Sequence, residues 1–562
     1  MTSRPKPRWI APPTAAPAAR RRGARALQRL WHLPGRPGRT GAIAGGLAGF
    51  VGGLLWVLAS PPVGWWPLAW LAGFPTLWAI DRAATPRRAG LYGGLTAVGF
   101  TVAGFHWMVH LLETNAHLPT VVAVFGLWVL AALHGLVYLI GARLIRGLRD
   151  RRRDHARGPW PMALCAPLGF AVVEILLWTP FPFSFALTQA GVGPIRALSA
   201  GFGPTGITTL MIAVAGAGYD LIAGRRQARG RVVGGVVLFT TVLAVASLRR
   251  SGDGPTSTVR IGIVQPNQST VGARGRTELL NLRRATDALA AQGAELVVWS
   301  EASLPFALDR DQVRDGPPGS GGRIRGTSTV PILLGTLTTD DRNRVWNSAL
   351  LLASDDRIVG RVDKIHRMIG SEYNPLIEWL PSTRALMPEG AGSFQRGPAP
   401  VILTADLGGR PLRIAIMVCL EDVLPSFGRE LTALEPDLII NLTNDTWFDT
   451  GAEPYQHEAL ARLRTVEMGL PMIRAVNTGP SSAIDRDGNF LGRTVVRGAS
   501  GRLPADTLLV DVPIGPRARS FYASWGGPLS WLIALGALAW WLVPGLIGWG
   551  RRRLGILRRR SA

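Results

Sequence analysis

The chain has 562 residues, more than one ordinary domain needs, and 47% of them are apolar. A formal charge of +25 would point a soluble protein toward nucleic acid, but here the arginines stand at the ends of apolar runs and no nucleic-acid-binding motif accompanies them, so membrane topology accounts for the charge. The only two cysteines, Cys165 in an apolar run and Cys419 in a later, more polar region, exclude a disulfide framework and a cysteine-based zinc site.

Residues 1–40 are rich in Arg, Pro and Ala and read as a disordered basic tail, not a cleaved signal, because the apolar segment after them is one of many. Seven candidate membrane helices follow, at about 41–60, 65–81, 89–112, 119–145, 160–180, 197–223 and 232–248. An eighth at 526–549 precedes a second basic tail at 550–562. Each approaches or exceeds the roughly 20 residues that span a bilayer. Arg82, Arg87 and Arg88 follow the second helix, Arg146 to Arg153 the fourth and Arg225 to Arg231 the sixth, whereas alternate loops such as Pro61-Pro-Val-Gly64 carry no Lys or Arg. Both termini are therefore expected in the cytoplasm, with the segment between the last two helices on the outer side. Glu174 and His106 stand out inside the runs, either as functional groups or as interfacial and helix–helix hydrogen-bonding residues.

Residues 259–514 change character, to apolar runs of strand length separated by helical and turn stretches. Val259–Gln265 reads as a strand, 276–292 as a helix, and Leu296–Trp299 as a strand that delivers Glu301. Further strands are expected at 330–337, 347–352, 412–418 and 438–442; the third of these ends at Cys419, before a helix-like stretch opening with Glu421 and Asp422. Strands alternating with helices predict an α/β sandwich with its site at the strand ends.

A free cysteine is most often a small core residue. Between a strand's end and a helix's start it instead meets unpaired backbone N–H groups and a partial positive charge, expected to lower its pKa. Glu301, in Trp299-Ser-Glu-Ala-Ser-Leu-Pro305, and Lys364, in Asp363-Lys-Ile-His-Arg367, favour the second reading. A thiol attacking an acyl group needs a base for its proton and a cation or donors for the oxyanion. Singly, a Glu after a strand or a Lys in a loop is usually solvated; the ordered set of Glu, Lys and Cys is much more specific.

The surrounding motifs are Val264-Gln-Pro-Asn267, Asn441-Leu-Thr-Asn-Asp-Thr-Trp-Phe448, Tyr455-Gln-His-Glu-Ala-Leu-Ala-Arg-Leu-Arg464, Glu467 and Ile473-Arg-Ala-Val-Asn-Thr-Gly479. On these, residues 259–514 resemble the nitrilase, or carbon-nitrogen hydrolase, superfamily. With the flanking helices, residues 41–549 resemble its membrane-embedded branch, the bacterial apolipoprotein N-acyltransferases. The resemblance implies a polytopic domain of eight transmembrane helices, seven in 41–248 and one at 526–549, and an αββα sandwich at 259–514 outside the bacterial inner membrane. It implies that Glu301 is the general base, that Lys364 stabilises the tetrahedral intermediate and that Cys419 is the acylated nucleophile. Glu372 would hold Lys364 and Glu301, and Glu421 would order the loop beside the thiol; a salt bridge to Arg367 and a plain helix-start carboxylate are the competing readings of these two.

The implied reaction moves an acyl chain from a phospholipid, phosphatidylethanolamine, through a Cys419 thioester to the α-amino group of a diacylglyceryl-cysteine on a lipoprotein. No cofactor, metal or nucleic acid is expected, and the enzyme is expected as a monomer. The loops 303–328 and 367–396, with Leu304, Phe306, Met368, Ile369, Trp379, Leu380, Met387 and Phe394, are a lid over the site or core packing. Departures from the family's pattern fall at Arg367-Met-Ile-Gly-Ser371, at Leu420 and at Arg274. A tethered amidase on the same three residues is the nearest alternative, and a silent lipid-binding scaffold the next. Eight helices exceed a tether's needs, and retention of all three residues argues against a scaffold.

Overall fold

A computed structural model describes residues 38–115, 118–150, 159–176, 182–223, 256–268, 275–369, 394–448, 451–494, 506–516 and 519–528, with isolated positions that include Glu372, Tyr373, Trp379 and Leu380. The first part is helical: α1 (Arg39–Ala59), α2 (Ala69–Arg82), α3 (Pro86–Gly104), α4 (Trp107–Asn115), α5 (Thr120–Asp150), α6 (Met162–Leu176) and α7 (Ser199–Ile222). Glycines let α1 and α3 meet backbone to backbone. A Cβ at Gly49 would stand 2.2 Å from the Tyr92 carbonyl oxygen, and one at Gly53 2.2 Å from that of Thr96.

By length and composition α1, α5 and α7 suffice to cross a membrane, and α3 with α4, bent by 59°, makes a fourth span if the pair is one. The expected span at 89–112 is thus broken near Phe105 and His106. The one at 65–81 becomes a short 3₁₀ turn, Trp66–Leu68, and the 14-residue α2 with Pro75 inside it. The segment 232–248, most of 526–549, both basic tails and Arg274 lie outside the described residues.

The second part holds β1 (Ser257–Gln265), α8 (Arg276–Ala291), β2 (Leu296–Trp299), β3 (Leu308–Asp309), β4 (Ile332–Thr339), β5 (Val345–Leu352) and β6 (Ile358–Asp363). It continues with β7 (Ile402–Asp406), β8 (Pro411–Val418), α9 (Pro425–Ala433), β9 (Leu438–Thr443), α10 (Glu453–Met468), β10 (Met472–Val476), β11 (Ser482–Ile484), β12 (Phe490–Arg493) and β13 (Asp506–Ile514). One sheet runs β13-β1-β2-β4-β5-β6 with β3 beside β4, the other β12-β11-β10-β9-β8-β7. β1, β2 and β4 are parallel in the first, as are β8, β9 and β10 in the second. Those strands are buried on both faces, which is why they read as continuous apolar runs.

Between the sheets Ile261, Ile263, Val298 and Leu333 meet Ile414, Ile416, Ile440 and Ile473. α8 covers the outer face of the first sheet through Leu279 and Leu282, and α9 and α10 cover the second through Phe427, Leu431 and Ala461. The order is helix, sheet, sheet, helix, as expected. α10 is shared: Ala459, Leu460 and Leu463 on its other face join the core of the helical bundle. Across the same junction Arg196 donates to the Asp487 carbonyl at 2.8 Å and to Asn489 at 2.6 Å. The C-terminal ends of β2 and β8 are thereby placed beside the bundle.

Candidate active site

β8 ends at Val418, and the chain turns sharply into a 3₁₀ turn, Cys419–Val423. Cys419 itself has φ +52°, left-handed backbone that a non-glycine residue seldom adopts. Such a conformation costs about 1–3 kcal/mol and persists where the surroundings over-determine it. Here Asn441 Nδ2 donates to the Cys419 carbonyl at 3.1 Å, and Glu421 accepts the Val418 N–H at 2.8 Å. The thiol is held at the crest of the turn.

Glu301 follows β2, whose Trp299 is fixed by an indole hydrogen bond to Thr286 at 2.9 Å. The loop after it passes so close to β4 that a Cβ on Gly335 would lie 2.5 Å from the Ser300 carbonyl oxygen and 2.6 Å from the Glu301 Cα. Lys364 follows β6 and donates its backbone N–H to Asn347 at 2.8 Å. Its Nζ lies 2.9 Å from Glu372 and 3.5 Å from Glu301 Oε1. Asn347 Nδ2 bridges the two carboxylates, at 2.6 Å to Glu301 and 3.0 Å to Glu372. All four side chains are buried, as is Cys419.

The protonation pattern follows from that burial. Desolvation alone would lower Lys364, but Glu372 and Glu301 outweigh it and hold the ammonium well above its ordinary value. Burial pushes Glu301 up, with Lys364 opposing. Glu372 also pays desolvation, yet Lys364 and the Met368 N–H bring it below the usual carboxylate range. Burial, reinforced by Glu301, pushes the Cys419 thiol well up, with Lys364 only partly offsetting it. The expectation of a lowered thiol pKa is therefore reversed: a 3₁₀ turn of five residues offers a weak dipole, and desolvation wins. A neutral thiol beside a carboxylate of raised proton affinity calls for a base that moves with the attack.

Glu372 pairs with Lys364, not with Arg367, whose guanidinium donates to the Phe394 carbonyl at 2.8 Å and stacks on Tyr373. Glu421 is more than a helix-start carboxylate. Its Oε1 accepts the N–H groups of Ile365 and His366 at 2.7 and 2.9 Å, binding the lysine loop to the cysteine turn, while burial pushes its pKa up to about 7. All five expected site residues thus converge. Glu174 and His106 stay apart, the first within the bundle beside Ser184 and Thr205, the second exposed with Nδ1 2.9 Å from the Ala103 carbonyl.

Of the two loops, Leu304 and Phe306 pack into the outer core of the first sheet, Met368 packs against the bundle, as does Leu420 of the cysteine turn, and Trp379 and Leu380 are exposed. Met387 and the stretch Gly370-Ser371 lie outside the described residues. Sequence reasoning missed Asn347, whose signal was a polar residue in the apolar strand β5, and the buried group Asp422, His457, Arg474 and Asp445. Asp445, Glu453 and His457 offer ligand atoms within 4.8 Å of one another, the closest approach to a metal site among the described residues. Two cations of the chain already face these carboxylates: Arg474, and His457, which Asp422 raises to about 10 against its burial.

Two family descriptions match the chain: an apolipoprotein N-acyltransferase N-terminal domain over residues 52–217 and a carbon-nitrogen hydrolase over residues 260–513. Apolipoprotein N-acyltransferases among its relatives include that of Geobacter metallireducens, 29% identical over 87% of this chain and 93% of its own. Those of Sinorhizobium medicae and Rhizobium meliloti are 30% and 31% identical, over 88% and 82% of this chain and 96% and 89% of theirs. Among solved structures, an amidase from Nesterenkonia sp. aligns with 48% of this chain and 95% of its own at 17% identity and a TM-score of 0.33.

Proposed function

The chain belongs to the apolipoprotein N-acyltransferase family, and from that premise we infer that it is a membrane enzyme that carries an acyl chain from a phospholipid to a lipoprotein by way of Cys419. The observation that carries the assignment to Cys419 is its left-handed turn, beside a buried Lys364 ringed by Glu301 and Glu372. The finer reading is phosphatidylethanolamine as donor, a diacylglyceryl-cysteine amine as acceptor and a monomeric enzyme. It includes eight membrane helices in the bacterial inner membrane, both termini cytoplasmic and the sandwich at 259–514 on the outer side. Basic loops on alternate sides and three candidate spans among the described residues, four if the bent pair of α3 and α4 is one, support it.

In the first half-reaction Glu301 takes the thiol proton as sulfur attacks the ester carbonyl carbon. Negative charge gathers on the carbonyl oxygen, where the Lys364 ammonium is preorganised to meet it. The C–O bond breaks, Glu301 returns the proton to the departing lysophospholipid oxygen, and a thioester remains. In the second half-reaction the acceptor amine attacks that thioester and Glu301 receives its proton. The C–S bond breaks, the sulfur regains a proton, and an amide leaves. Glu372 stays charged throughout and holds Lys364 in place; Asn347 orients both carboxylates. Thioester transfer to an amine outruns hydrolysis only if water is kept out, and burial of the whole constellation against the bundle serves that end.

The test is intact-protein mass spectrometry after incubation with phosphatidylethanolamine, beside Cys419→Ala. An acyl adduct on the unaltered enzyme alone, removed by hydroxylamine and discharged by a diacylglyceryl-cysteine peptide to an N-acyl product, is the expected outcome. No adduct, with turnover of a small soluble amide, would transfer the assignment to a membrane amidase.

A further inference from the structure

Cys419 has two carboxylates in its own turn, and the chemistry above uses one. Glu421 binds the lysine loop. Asp422, next in the chain and fully buried, faces the other way: its Oδ1 lies 2.6 Å from His457 Nε2 on α10, and its Oδ2 accepts from Arg474 Nε on β10 at 3.1 Å. His457 extends the network, with Nδ1 3.5 Å from Asp445 Oδ1 and 3.5 Å from Glu453 Oε1. Its chain neighbour Gln456 donates to the Gly104 carbonyl at the end of α3, at 3.2 Å. The short turn that opens with Asp445 closes with Phe448, whose ring stands edge-on to Trp107 of α4 at 5.1 Å. Through α10 and the Asp445–Phe448 turn, polar and aromatic contacts therefore connect the turn that carries the thiol with the break between two membrane helices.

We propose that Asp422 is a positioning residue for Cys419: gripped by His457 and Arg474, it fixes the left-handed turn that aims the thiol at Glu301 and Lys364, and it ties that turn to the α3–α4 break. The inference rests on Cys419 being the acylated thiol. Three anchors hold the turn. Asn441 takes the Cys419 carbonyl from β9, and Glu421 takes the Val418 N–H from within the turn. Asp422 supplies the third, and its partners alone lie on α10 and β10. A buried carboxylate between two cationic donors is held by charge-assisted bonds, the strongest orienting contacts a side chain makes. Asp422 and Asp445 are balanced there by His457 and Arg474. The group is charge-neutral if Glu453 keeps its proton, the direction in which burial and Asp445 push it.

The experiment uses the full-length enzyme in detergent micelles with phosphatidylethanolamine, as Asp422→Asn, His457→Gln and Cys419→Ala. Four readings are taken: the rate of acyl-enzyme formation, the KM for the donor, thermal unfolding, and alkylation of Cys419 by iodoacetamide followed on its peptide. The expected result for Asp422→Asn is a folded protein in which acylation and alkylation slow together, by about 10- to 100-fold, with KM unchanged. Wild-type rates of both per folded molecule would overturn the proposal, whatever happens to the thermal midpoint. If Asp422→Asn does not accumulate, His457→Gln is read by the same criterion. Acylation surviving in Cys419→Ala would instead remove the underlying assignment of the nucleophile, and is told apart by that variant alone.

Discussion

Glu301 stands in a proton balance whose sign fixes a pH response. Its carboxyl is pushed above the ordinary range by burial, and the carboxylate is the form that accepts the thiol proton. Acylation should therefore fall as pH is lowered through that raised value, at higher pH than an exposed glutamate near 4.3 would give. Asn347 donates to the charged form and lowers this pKa, so Asn347→Ala should move the acid limb upward. Glu301→Gln should abolish the limb and slow acylation by about 10²- to 10⁴-fold. Rapid-quench acylation from about pH 4, near the ordinary glutamate value, up to about pH 8 checks all three. Glu301 and Cys419 were legible because each follows an apolar strand, and a strand end is a one-dimensional signal; Lys364, after the mixed strand β6, was legible only as a member of the ordered set. Asp422, His457 and Arg474 were not. They meet across a sheet and a helix from 35 and 52 positions apart, and nothing in a linear pattern separates a buried ionic group from a solvated one.

Elements with a clear period were legible at nearly their observed bounds: Leu296–Trp299 is β2 itself, and residues 276–292 differ from α8 by one position. Four of the strands that escaped, β6, β7, β12 and β13, have half-exposed, mixed patterns at sheet margins. The helices failed differently. Hydropathy reports length in lipid but not breaks, so the run 89–112 concealed the 59° bend between α3 and α4. What fixes α3 against its neighbour is the absence of side chains on α1, where a Cβ at Gly53 would meet the Thr96 carbonyl oxygen at 2.2 Å and the Phe100 N at 2.7 Å. Both are backbone atoms and cannot step aside. Gly53→Leu should therefore separate the helices and lower thermal stability by an amount typical of overpacking, about 1–3 kcal/mol or more, as measured by unfolding in detergent, whereas Gly38→Ala, with open space around it apart from its positive φ, should cost less.

At the scale of the molecule, the sandwich and the bundle share a core. Ala459, Leu460 and Leu463 of α10, Val423 at the end of the cysteine turn, and Phe448 pack with Trp107, Phe185 and Leu198 of the helical part. Each buried side chain of that size contributes about 1.5–3 kcal/mol by leaving water, so this face is a structural half, not a docking surface that opens and closes at will. It is also where the thiol's turn and the lysine loop meet the bundle, through Leu420 and Met368. A soluble hydrolase tethered to a membrane would keep its fold and its thiol reactivity when cut from the tether. This chain should not. Residues 256–516 expressed alone should aggregate unless detergent covers the exposed face of α10, and should alkylate Cys419 more slowly than the whole enzyme even then, because the turn has lost its support from the Gly104 break. Size-exclusion chromatography with and without detergent, followed by peptide-resolved alkylation, decides between them: a monodisperse fragment with unaltered Cys419 reactivity would mean that the bundle only anchors the catalytic half and takes no part in building its site.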